Sequence, residues 1–246
     1  DGTNSYEGIT IANLQIDGNK SNQTSGNLRG IDFKYISNSV IEGVWVHDIY
    51  GTDWGTSACR AISVYGGSNN WIVRNKIESN SRDGINATYS SYIHIVNNKI
   101  LNNNGNGIIL YGVSHALIEG NHISSQYDSV AAIYLMNVYK SDISKNILAS
   151  IGPHGIYLTY EDKFNLIGSN VLYNIGKRVN NTYSAILIYG TQGSCASFNI
   201  IKENVIYSDT TNKPKYGIYG IGINTSLILN WIGPYAMGAI NIVTAA

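Results

Sequence analysis

Four side chains carry the acid–base chemistry this sequence could perform: Arg82, Asp83, Asp128 and His154. Arg82-Asp83 and His154 stand directly before Gly84-Ile85 and Gly155-Ile156, and Asp128 lies shortly before Ala132-Ile133. A base, a cation and an acid held together suit proton abstraction beside a carboxylate. The cation neutralises that carboxylate and the acid serves the leaving group. Plainer readings compete. Asp83-Gly84 is also an ordinary turn pair, Arg82 can pair with any neighbouring acid, and a lone histidine is more often structural than catalytic. Five tyrosines, Tyr65, Tyr111, Tyr134, Tyr157 and Tyr189, fall one or three residues after the isoleucine of the same kind of dipeptide. An aromatic face with a polar tip suits a sugar ring, although stacked tyrosines also simply favour strand packing.

These candidates are in phase because the chain repeats. Gly30-Ile31, Ala61-Ile62, Gly84-Ile85, Gly107-Ile108, Ala132-Ile133, Gly155-Ile156, Ala185-Ile186, Gly217-Ile218 and Ala239-Ile240 open successive units, most of them about 23 residues apart. A mostly apolar residue follows each isoleucine at the second position, which is strand periodicity. Asn75, Asn98, Asn121, Asn146, Asn170, Asn204 and Asn230 form a further column, with Ile or Leu three residues before and two residues after. The period fits coils of three short strands, stacked so that like residues lie over like. Asparagine at each corner is expected to take the left-handed backbone conformation and to bond the asparagine of the next coil. Central glycines and abundant β-branched residues exclude a helical-hairpin repeat.

With these columns the chain resembles the right-handed parallel β-helix proteins of the pectate-lyase-like superfamily. The resemblance spans essentially all 246 residues. It implies an all-β fold: a single-stranded right-handed parallel β-helix of about ten coils, one domain over residues 1–246, as a rod about 45 Å long. Neither end looks capped, so a piece of a longer chain, or ends covered by partner chains or end-to-end association, is expected. Long polar connections before the first, second, seventh and eighth of these dipeptides are expected to wall a trough on the tyrosine-bearing sheet. The superfamily hosts lyases, epimerases and hydrolases of polysaccharides, and also adhesins and viral fibres, so both an enzyme and a non-catalytic glycan-binding or assembly module follow from it. Pro153-His154-Gly155-Ile156 is similar to the His-Gly segment that opens a strand in alginate C5-epimerases, but the Asp-Pro-His-Glu motif of that family is missing.

Composition narrows the partners. Charged residues are 13% of the chain and the formal net charge is zero, so a nucleic-acid partner is not expected. No apolar run has the length of a membrane span. A surface rich in Asn, Ser, Thr, Tyr and Gly suits a secreted, cell-surface or virion-associated protein with a polysaccharide partner. Cys59 and Cys195 fall too many coils apart to pair. No cofactor is expected: the dense acidic cluster that calcium requires is missing, and His47, His94, His115, His122 and His154 form no metal-binding motif.

Overall fold

The computed structural model describes residues 5–52, 59–126, 128–179, 182–190, 196–209, 213–221, 224–233 and 238–243, with backbone alone for Ile221, Ile242 and Val243. Three all-parallel sheets of nine strands each run the length of the rod, giving about nine coils of a right-handed parallel β-helix. Sheet A runs from Arg29–Lys34 to Gly238–Val243, sheet B from Thr10–Ala12 to Ser226–Ile228, and sheet C from Gln15–Asp17 to Trp231–Ile232. A short pair, Tyr6–Glu7 with Ile36–Ser37, lies beside them, and the described residues contain a single turn of 3-10 helix, Lys20–Asn22.

Register makes the core. In sheet A, Ile85, Ile108, Ile133, Ile156, Ile186 and Ile218 face one another on successive strands, and all six are fully buried. Ile72, Ile95, Ile118, Ile143, Ile167 and Ile201 do the same in sheet B. Burying each such side chain contributes roughly 1.5–3 kcal/mol against the entropy of ordering the coil.

The asparagine corner between sheets B and C is a continuous ladder. The side-chain oxygens of Asn98, Asn121, Asn146, Asn170 and Asn204 accept from the backbone N–H of the preceding ladder asparagine at 2.9–3.0 Å. Val44, which stands where the first asparagine would, donates its N–H to Asn75. One expectation is corrected here. The left-handed backbone belongs to the residue before each ladder asparagine: Arg74, Asn97, Gly120, Lys145, Ser169, Glu203 and Leu229. The asparagine is thereby free to turn its amide inward, where it can receive the neighbouring coil's N–H. Two further buried corners bond in the same way and were not read from the sequence: Asn80 with Asn103, and Asn165 with Asn199.

The long connections fall where the repeat places them. Between sheets C and A, residues 18–28, 48–59, 174–183 and 208–215 are the longest links, against 79–82, 102–107, 125–130 and 150–153 in the middle. Asp53 and Trp54, in the second of these links, lie outside the described residues, as does Cys195. Cys59 is a free, buried thiol. No helix among the described residues is long and apolar enough to cross a membrane.

Candidate functional site

The outward face of sheet A carries two columns. Asp32, Ser63, Asn86, Ile109, Tyr134, Tyr157, Leu187 and Tyr219 are in register in one, and Lys34, Tyr65, Thr88, Tyr111, Met136, Thr159 and Tyr189 in the next. The five tyrosines singled out by their spacing therefore do share a face. Tyr134 and Tyr157 stack with centroids 5.1 Å apart. Partial burial pushes both hydroxyls above the ordinary phenol range, so they stay neutral donors. Tyr189 is exposed, in register with Thr159.

Tyr65 and Tyr111 are joined by two rings that spacing did not single out. Tyr35 and Tyr89 occupy the left-handed corner where the chain leaves sheet A, with φ of 56° and 48°. The resulting line runs Tyr35–Tyr65 at 5.5 Å, Tyr65–Tyr89 at 5.9 Å and Tyr89–Tyr111 at 5.0 Å. These corners alternate Tyr35, Gly66, Tyr89, Gly112 along the rod. That alternation was the available signal: a bulky residue and a glycine take turns at one corner.

The four acid–base candidates have separate surroundings. The Arg82 guanidinium donates to the backbone carbonyl of Thr52. Asp83 is 6% exposed and accepts from both the backbone and the side-chain N–H of Asn106, at 2.8 and 3.1 Å. Burial pushes its carboxyl above the usual range, against the pull of Asn106, Arg60 and Arg82. Asp128 pairs with Arg178 at 3.1 Å, both partly exposed. His154 Nδ1 lies 3.0 Å from the backbone nitrogen and 3.1 Å from the carbonyl oxygen of Ser184. Its ring packs against Tyr157 and Tyr183, and burial holds its pKa down at about 4. Asp83 and His154 stand in one column three rungs apart, about 14 Å at the usual strand spacing. The four side chains thus spread along the rod; no single sugar ring spans Asp83 and His154.

A different cluster forms on sheet C. Asp17, His47 and Asp48 each place one donor atom within 4.8 Å of the others. It joins residues thirty positions apart in sequence, brought together only by the stacking of the first two coils, so no local motif announces it.

Comparison with known proteins follows from this geometry. A family described as "Periplasmic copper-binding protein (NosD)" matches residues 1–132, more than half of the 246-residue chain. The chain belongs to the NosD family. No curated protein sequence matches it. Among solved structures, the A-module of the mannuronan C-5 epimerase AlgE4 of Azotobacter vinelandii is similar with a TM-score of 0.60 and 18% identity, over 95% of this chain and 74% of that one. The alginate lyase of Paenibacillus sp. str. FPU-7 gives 0.60 and 12%, over 97% and 99%. The tailspike of E. coli bacteriophage HK620, solved with a pentasaccharide, gives 0.68 and 13%, over 98% of this chain and 48% of that one. Identities this low establish the shared β-helix and nothing finer.

In this NosD-family chain, then, sheet A offers an extended aromatic surface more clearly than a catalytic centre. A proton-transfer group works best with a pKa near the working pH. A histidine held near 4 is a weak base, and Nδ1 is occupied by Ser184, so proton transfer to a ligand would run through Nε2.

Proposed function

We propose that this chain binds an extended glycan along sheet A, with Tyr35, Tyr65, Tyr89 and Tyr111 as the platform and Tyr134, Tyr157 and Tyr189 continuing the face. The observation that carries the reading is the unbroken line of ring contacts between Tyr35 and Tyr111. Rings 5.0–5.9 Å apart, set edge to face from Tyr35 to Tyr65 and from Tyr65 to Tyr89, line this face with aromatic surface and polar tips that suit sugar rings. The likeness to the epimerase module, the lyase and the tailspike supports it at the level of fold. A location outside the cytoplasm, whether secreted, at the cell surface or in the periplasm named in the family's description, belongs to the same proposal.

Glycan-array and affinity-gel measurements on the intact chain test this. Tyr65→Ala and Tyr89→Ala should each weaken binding about tenfold, as expected for loss of one or two kcal/mol of stacking. Tyr92→Ala, at an exposed corner of sheet B, should leave it unchanged. Equal affinity in all three variants removes the proposal. Turnover of the bound glycan as a lyase, epimerase or hydrolase is the finer form, favoured by the contact of His154 with Tyr157. Arg82, Asp83 and Asp128 are its other proposed participants, acting at neighbouring sugar units rather than on the ring His154 meets, and unchanged polysaccharide turnover in His154→Ala and Arg82→Ala would rule the assignment out.

A second reading is copper binding, as the family's description states. Copper(I) favours sulfur donors, whereas copper(II) takes imidazole and carboxylate. The chain has two methionines and two cysteines, and Cys59 is buried. Among the described residues the one converging donor set is nitrogen and oxygen, Asp17, His47 and Asp48, which fits copper(II). Titration of the tag-free chain with copper(II) tests it, with one ion per chain expected.

A further inference from the structure

The cluster on sheet C is built more specifically than the fold requires. Asp17 and His47 are in register on adjacent strands. Asp48 follows at a left-handed corner, φ 52°, that turns its carboxylate back toward the ring. His47 Nδ1 is 2.8 Å from Asp48 Oδ2 and 3.9 Å from Asp17 Oδ1. Ligand atoms around a tetrahedral cation with bonds of 2.0–2.2 Å stand about 3.4 Å apart, so small side-chain rotations suffice to close the set.

The other coils serve as an internal comparison. Ser79, Asn102, Ser125, Ser150 and Asn174 take the same left-handed corner as Asp48. The strand position of Asp17 and His47 is filled further along by Glu78, Leu101, Ser124, Ala149, Tyr173 and Tyr207. Corner geometry therefore asks only for a small polar residue, and none of these other coils sets a carboxylate against an imidazole. His47 is 8% exposed and its ring packs on Trp45 at 4.4 Å, so the imidazole is already desolvated and fixed. A cleft of about 480 Å³ opens beside the two carboxylates, with Ser21 and Tyr50 also in its lining. Lys20 lines it too, but its ammonium is held by the Ser79 carbonyl at 2.9 Å.

The far side of the ring is also provided for. The Gln15 amide lies 2.8 Å from His47 Nε2. A histidine that ligates through Nδ1 carries its proton on Nε2 and needs an acceptor there. A half-turn of the Gln15 amide presents its oxygen to that proton.

We propose that Asp17, His47 and Asp48 bind one divalent first-row transition cation, through His47 Nδ1 and the two carboxylates, with Gln15 fixing the histidine tautomer. The choice of copper(II) as first probe rests on the copper reading above; the site itself rests on the geometry. Isothermal titration of the tag-free full-length chain with copper(II), and separately with zinc(II), measures the affinity. Electron paramagnetic resonance of the copper(II) form reports its ligands. One ion per chain is expected, with hyperfine coupling to one imidazole nitrogen. His47→Gln and Asp48→Asn should each weaken binding at least tenfold, and Gln15→Leu about tenfold. The last two variants lie at partly or fully exposed positions and keep the test valid should His47→Gln fold poorly. A single copper(II) whose spectrum and affinity are unchanged in Asp48→Asn and Gln15→Leu overturns this site while leaving copper binding in place. Failure of both ions to bind more tightly than about 100 μM, near 5.5 kcal/mol, overturns both.

Discussion

The ring of Tyr35 lies across the backbone of Gly66 so closely that a methyl group on residue 66 would stand 2.7 Å from the tyrosine Cδ1. Gly66 also has φ of 67°, which an L side chain adopts only at a cost. Gly66→Ala should therefore lose roughly 1–2 kcal/mol of stability from the backbone term, and should push Tyr35 off the line that reaches Tyr65. Gly112 stands in the same relation to Tyr89. Urea unfolding measures the first effect and glycan affinity the second. A variant with both Gly66→Ala and Tyr35→Ala relieves the clash but keeps the backbone cost; recovery of full stability in it would show that the left-handed conformation is not strained.

Much of this architecture was legible because a solenoid writes its packing in one dimension. Ile108, Ile133 and Ile156 are spaced alike in sequence and are neighbours in the sheet for that reason. The same logic placed Tyr134 over Tyr157. It gave less at the corners, where a shift of one residue exchanges left-handed backbone for an inward amide: Asn121 was expected to bend the chain, but Gly120 bends it. It gave least for contacts between unlike columns. Tyr35 and Tyr89 reach the tyrosine line from the corner beside it, and Asp17 meets His47 only through stacking of coils with long, unequal connections. Periodicity reports which residues share a column, not what a side chain does once it leaves that column.

The ladder makes its own prediction. Asn121 is 1% exposed; it donates to the carbonyl of Ile95 at 2.8 Å and to Asn146, and accepts from both nitrogens of Asn98. Asn121→Ala leaves buried donors and an acceptor without partners, each costing about 1–3 kcal/mol. A loss on the order of 3–4 kcal/mol is expected in denaturant unfolding. Asn230→Ala, at a half-buried ladder position, should cost less. Equal losses at the two sites would mean that burial does not set the strength of the ladder.

Cys59 should be inert while the protein is folded. Its thiol is fully buried, sits 3.3 Å from the Ile49 carbonyl, and is pushed up to a pKa of about 11 by that burial. Attack on a disulfide reagent needs the thiolate and access to it. In a Cys195→Ser background, native protein should resist an aromatic disulfide reagent at pH 8 for hours and react within minutes in urea. Rapid labelling of the native form would show that this corner opens.

The pH dependence of stability should carry the signature of His154. Burial lowers its pKa from 6.5 to about 4 in the folded chain, and among the described residues no carboxylate pairs with it. Between those two values the unfolded chain binds the extra proton and the folded chain does not. The histidine's contribution is therefore complete above about pH 6.5 and is lost as pH falls toward 4. The size is on the order of 3 kcal/mol across that window. His154→Gln can still accept the Ser184 N–H but cannot take up a proton. Its unfolding free energy should fall less steeply than that of the parent chain between pH 7 and pH 4, so that the two curves converge in acid. Parallel curves would place the imidazole in contact with solvent, and would restore to it the basicity that a catalytic role on sheet A needs.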